Sequence, residues 1–287
     1  VGLSTRGYNQ VATIFEWPFF SGLFAVIIAA PLFQGARDEG AWRFPPQLVH
    51  THAWTDAVLG AAALLFVGIS IAMAWLIAGL FDLIGIAFLK DMLNKGWFTA
   101  TLAGFAFGAG VGILRERDAL VATMQRLVMV VLAVLSPILA GALVIFLLSL
   151  PLTGLAGLWD GWLSATALTL AAAGGAYLLI NAAIGHGDEA RPVHPLLLRS
   201  ALVLALVVAP LAGLALLAML IRTHQYGWTP ERIWGGVCCI IALCYGLAGW
   251  WAVAKGRMAY PAILRVLQVR LALGVCALAL FLSLPIV

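Results

Sequence analysis

LVMVVLAVLSPILAGALVIFLLSL, Leu127 to Leu150, decides the fold: it runs for 24 residues without one charged side chain. About 20 apolar residues in helical conformation cross the roughly 30 Å hydrocarbon layer of a bilayer. There every backbone amide must find its partner inside the segment, so such a run is a helix. Working outward, seven further runs read the same way: Phe15 to Leu32, Ala57 to Phe81, Trp97 to Leu114, Trp162 to Asn181, Leu197 to Ile221, Ile233 to Ala254 and Leu271 to Val287. The third and fifth in chain order are the weakest, being rich in Gly and Ala. Over the whole chain 64% of residues are hydrophobic and 10% charged, against roughly 45–50% and 25% in a soluble domain. The expected architecture is an all-α, polytopic transmembrane helix bundle of about eight spans in one membrane domain.

Tryptophan placement supports these boundaries. Trp17, Trp97, Trp159, Trp162, Trp228, Trp234, Trp250 and Trp251 lie near proposed ends, at the headgroup level an amphipathic ring prefers. Orientation follows from the bases on alternate sides. One side collects Arg6, Lys90, Lys95, Arg222 and Arg232; the other collects Arg37, Arg43, Arg115, Arg117, Arg126, Arg191, Arg199, Lys255, Arg257, Arg265 and Arg270. By the positive-inside rule the richer side is cytoplasmic; in a bacterial inner membrane, the location expected for this chain, both ends would then be periplasmic. The first residue is Val1 and the last run stops at Val287; both ends read as cut from a longer membrane protein. No cleavable secretory signal is evident. The bases are scattered between apolar runs rather than gathered on one face, so nucleic acid is not an expected partner. Cys238, Cys239, Cys244 and Cys276 sit inside apolar stretches with no CxxC pair and read as packing residues.

After the second span, FDLIGIAFLKDMLNK (Phe81 to Lys95) keeps a helical period. Projected at about 100° per residue, Lys90, Asp91, Asn94 and Lys95 share one arc while Ile86, Leu89 and Leu93 share another. The segment is expected to lie along the interface as a short amphipathic helix, with Gly85 marking the bend into it. Asp82 falls on the apolar arc, so it is expected to find a partner in the bundle or to remain protonated.

Three more groups of residues carry chemical potential. His50 and His52 before the second span, with His186 and His194 between the fifth and sixth, share the cytoplasmic face with Asp188 and Glu189 and form a candidate metal set. The loop RTHQYGWTPERIW holds Arg222, His224, Tyr226, Trp228, Glu231 and Arg232, a candidate ligand site alongside Asp82. Part of that loop has a structural explanation: Thr229 caps a helix opening at Pro230, Glu231 faces the positive helix end, and Gly227 allows the tight turn. Gly104, Gly108 and Gly112 recur every four residues, a spacing that lets two helix backbones approach, within the chain or with a second copy. Pro137 and Pro210 mark expected kinks. No nucleophile elbow, phosphate loop, HExxH or dinucleotide fingerprint occurs, and no cofactor is expected.

Four stretches, QLVHTHAWTDA from Gln47, FDLIGIAFLKDML from Phe81, WFTATLAGFAFGAGVGILRER from Trp97 and YGWTPERIWG from Tyr226, together resemble the bacterial integral membrane family catalogued as domain of unknown function 4153. The resemblance runs over most of the chain. It implies a polytopic inner-membrane protein whose relatives are longer at both ends, and it brings no catalytic residues. The expected role is an envelope scaffold or assembly component. The alternatives are a carrier of a small or lipid-like molecule and a membrane-interface enzyme.

Overall fold

The computed structural model describes residues 4–153, 164–185 and 194–284, and among these every regular element is a helix. In chain order they are α1 (Ser4–Glu39), α2 (Pro46–Leu83), α3 (Phe88–Leu93), α4 (Gly96–Arg115), α5 (Asp118–Thr153), α6 (Ala165–Ile184), α7 (Pro195–Tyr226), α8 (Pro230–Gly256) and α9 (Tyr260–Leu282). Each helix but α3 holds the whole or, for α6 and α9, the greater part of one of the eight apolar runs; Trp159 and Trp162 lie outside the described residues. The protein is an integral, multi-pass, all-α membrane protein.

Two details of the last run needed the structure. Pro230–Leu282 is one apolar stretch of 53 residues, which as a single helix would rise about 80 Å, more than twice the hydrocarbon thickness. It breaks at Arg257, whose φ is 46°, and at the 3-10 turn Arg257–Ala259, and α9 folds back on α8. Helix α9 starts at Tyr260 rather than at the expected Leu271, which brings Arg265, Gln268 and Arg270 onto a helix instead of a loop. Tyr260 fixes that start. It is fully buried and its hydroxyl donates to Leu198 O at 3.1 Å.

The chain divides into two compact units, residues 1–50 with 129–287, and residues 51–128. In the first, α5, α6, α7, α8 and the head of α9 surround a core that mixes many alanines with leucines, including Ala173, Ala176, Ala201, Leu204, Ala205 and Leu211. Small residues matter here because lipid is as apolar as a side chain, so close van der Waals contact rather than water exclusion joins the helices. The α7–α8 crossing makes the point: a Cβ on Gly246 would lie 2.6 Å from Ala209 Cα, and one on Gly249 would lie 2.8 Å from Ala205 O. Helix α1 runs against α9, stitched by Ser21 Oγ donating to Ala279 O at 2.7 Å and the Cys276 thiol directed at Ala25 O.

Proline removes an amide donor and frees the carbonyl four residues back, a loss that hydrocarbon does not forgive. In α7, Pro210 frees Leu206 O, and the Trp250 indole N–H of α8 donates to it at 2.7 Å. In α5, Pro137 frees Ala133 O, and the buried Ser136 hydroxyl donates to it at 2.7 Å while lying 2.7 Å from Ser200 Oγ of α7. Both prolines thereby gain a cross-helix tie. Trp250 thus joins α8 to α7.

In the second unit, α2 and α4 meet where Gly110 faces Ala63 and Phe66. Thr55 Oγ1 lies 3.1 Å from Gln125 Oε1, linking α2 to the start of α5. Gly104, Gly108 and Gly112 do not make the α2 contact; a Cβ on any of them would meet nothing within 4 Å.

Candidate functional site

The elbow after α2 corrects the helical projection. Helix α2 ends at Leu83, Gly85 takes φ 84°, and α3 covers only Phe88–Leu93. A left-handed residue resets the phase of the turns around it, so the two sides of Gly85 do not share one helical wheel. Asp82 accordingly does not lie apart from the polar residues. The Lys90 ammonium donates to its Oδ2 at 2.7 Å, with both side chains partly exposed. Asp82, first through that hydrogen bond and then through its charge, holds Lys90 above the ordinary lysine range. The bend itself falls at Gly85 as expected, and Thr99 Oγ1 at the head of α4 donates to Leu93 O at 2.6 Å to close the far end of α3.

The loop after α7 is organised around its turn. Gly227, at φ 78°, donates its N–H to Thr223 O at 2.9 Å, and Thr229 Oγ1 accepts from Arg232 N at 3.4 Å to cap α8 above Pro230. The Arg232 guanidinium donates back to Gly227 O. Arg222 is half-buried on α7, whereas His224, Trp228 and Glu231 are exposed. Tyr226 ends α7, and its side chain lies outside the described part of the structure. The contacts described in this loop serve the turn and the cap.

His50 and His52 occupy the first turns of α2, two positions apart, so their side chains leave the helix roughly 200° from one another. His194 is the N-cap of α7; its Nδ1 accepts from Leu196 N at 3.3 Å. His186, Asp188 and Glu189 lie outside the described residues. Among the described residues, no three His, Cys, Asp or Glu side chains are grouped to hold a metal ion.

A polar cluster inside the first unit escaped the sequence reading. The rings of Tyr177 (α6) and Tyr245 (α8) meet edge to face at 4.9 Å. The Tyr177 phenol lies beside the Asn181 and Gln268 side chains, and Asn181 Nδ2 donates to Tyr177 O at 2.9 Å. Arg265 of α9 donates to Ile184 O at 2.6 Å and to Gly185 O at 2.7 Å, the last carbonyl of α6 and that of its C-cap. A guanidinium there both satisfies orphan acceptors and faces the negative end of the helix dipole. The cluster draws on three helices, so no local motif announces it. The available signal was the handful of amides and phenols inside otherwise apolar runs, together with an α9 that begins before its charges.

Compared with models of protein families, with curated proteins and with solved structures, the chain gives no match.

Proposed function

We propose that this membrane protein resides in a bacterial inner membrane, belongs with the family of domain of unknown function 4153, and serves as an envelope scaffold or assembly component. The observation that supports this reading is the uneven burial of its helices. Of the most apolar window of α2 only 6% lies buried, and of α4 11%, whereas α6 and α7 bury 44% and 50%. On α4 the open glycines Gly104, Gly108 and Gly112 offer a backbone-deep contact surface, the kind a second membrane helix uses. In this reading the second unit presents α2 and α4 to another membrane protein or to a second copy.

Cysteine crosslinking in native membranes tests it. With Gly108→Cys, a bifunctional thiol reagent should trap a covalent adduct of higher mass. Ile145→Cys, on an exposed face of α5, should trap none. If both positions behave alike, α4 is not an assembly surface and the scaffold reading fails.

A further inference from the structure

Helix α9 packs against both α1 and α8, and at one end of this trio a groove of about 310 Å³ runs along it. One wall is Phe20, Phe24 and Ile27 of α1, and the other is Trp234, Cys238 and Ile241 of α8. The floor is α9 between Val275 and Leu282. From Trp234 to Ile241 the groove follows about 10 Å of helix rise, starting near the end of the bundle where α8 begins and α9 stops.

Its chemistry narrows the occupant. Ser21, the hydroxyl on its α1 side, is 2% exposed and donates to Ala279 O, so it is turned into the helix pair and away from any guest. A polar ligand burying its hydrogen-bonding groups there would lose several kcal/mol, at roughly 2–7 per unmet group. All three helices lie in stretches apolar enough to cross a bilayer, so what reaches the groove is hydrocarbon. A single hydrocarbon chain is narrower than any helix and needs no hydrogen-bond partner.

We propose that the groove is a lipid site holding one acyl chain, which enters beside Trp234 and Leu282 and reaches Ile27, Ile241 and Val275. It is independent of the scaffold reading, since it uses α1, α8 and α9 rather than α2 and α4.

The full chain is reconstituted into phosphatidylethanolamine and phosphatidylglycerol vesicles carrying a trace of phosphatidylcholine with a diazirine on one acyl chain, irradiated, and mapped by mass spectrometry. Adducts are expected on residues 234–241 and 275–282, saturating at a single chain per protein. They should fall about fivefold or more in Cys238→Trp, which fills the groove, a loss equivalent to about 1 kcal/mol of binding. Leu278→Trp, from the floor, is a second filling variant should the first fail to fold, and adducts around Ile145 should not change in either. Labelling that rises without saturation and spreads evenly over the exposed faces, or that survives both tryptophans, overturns the proposal.

Discussion

Helices α6 and α7 on one hand, and α2 and α4 on the other, are built from the same apolar residues and live by different rules. Helix α2 is more hydrophobic than α6, yet only 6% of its apolar window is buried while nearly half that of α6 is. Hydropathy therefore decides that a helix enters the membrane and says little about what it touches there, because lipid and Leu are equivalent solvents for each other. What separates the two regions is side-chain size at matching positions. Alanines and glycines face one another across α6, α7 and α8, whereas α2 and α4 meet at Gly110, and α2 offers large side chains such as Leu65, Ile69 and Leu76 to its surroundings.

Exchanging small for large should break this contrast most visibly. Gly246→Leu forces a side chain into the Ala209 backbone and is expected to destabilise the protein by about 3 kcal/mol or more, reducing the monodisperse fraction in detergent. Gly108→Leu should leave the monomer within about 0.5 kcal/mol of the parent while weakening a crosslink trapped through Gly104→Cys on the same helix. Comparable thermal losses in the two variants would erase the distinction.

A middle-sized effect belongs to the Pro210 tie. Trp250→Phe keeps the ring and removes the donor, leaving Leu206 O unmet at a cost of about 1–3 kcal/mol. In a Pro210→Ala background the helix amide is restored, and the same substitution should cost markedly less. Thermal unfolding of the four combinations measures the coupling; strict additivity would show that the indole does not serve the proline. The Ser136 tie should be weaker, with Ser136→Ala costing about 0.5–1.5 kcal/mol by the same measurement.

The smallest effect is expected at the elbow, where both partners of the ion pair are partly exposed. Lys90→Met should speed tryptic cleavage after Lys95 without moving the thermal midpoint. Because Asp82 raises the Lys90 pKa, the contact persists through the ordinary lysine pKa of about 10.4 and is lost only as pH climbs through the raised value. The cleavage difference between parent and variant should therefore be constant around neutral pH and shrink in strong alkali.

The eight spans were legible because each needs only length and apolarity, and Gly85 and the Thr229–Pro230 cap were legible because their residue types fit few other roles. What stayed hidden depended on partners far away in sequence. The glycines every four residues on α4 are visible in one helix, but the tight crossing uses Gly246 and Gly249, whose meaning appears only beside Ala205 and Ala209. Arg265, Gln268 and Arg270 diluted the hydropathy of α9 and moved its apparent start to Leu271. Asp82 was misplaced because one wheel was carried across a residue with positive φ.

The central claim, that the chain crosses the membrane through eight helices with α8 and α9 as separate crossings, is most directly tested by labelling from one side. Single added cysteines at Trp228 and at Arg257 report on the two ends of α8; the four native cysteines lie within α8 and α9, where a membrane-impermeant maleimide should react poorly. In sealed, oriented vesicles the reagent should modify one added site before lysis and the other only after it. Modification of both from the same side in intact vesicles would contradict the account.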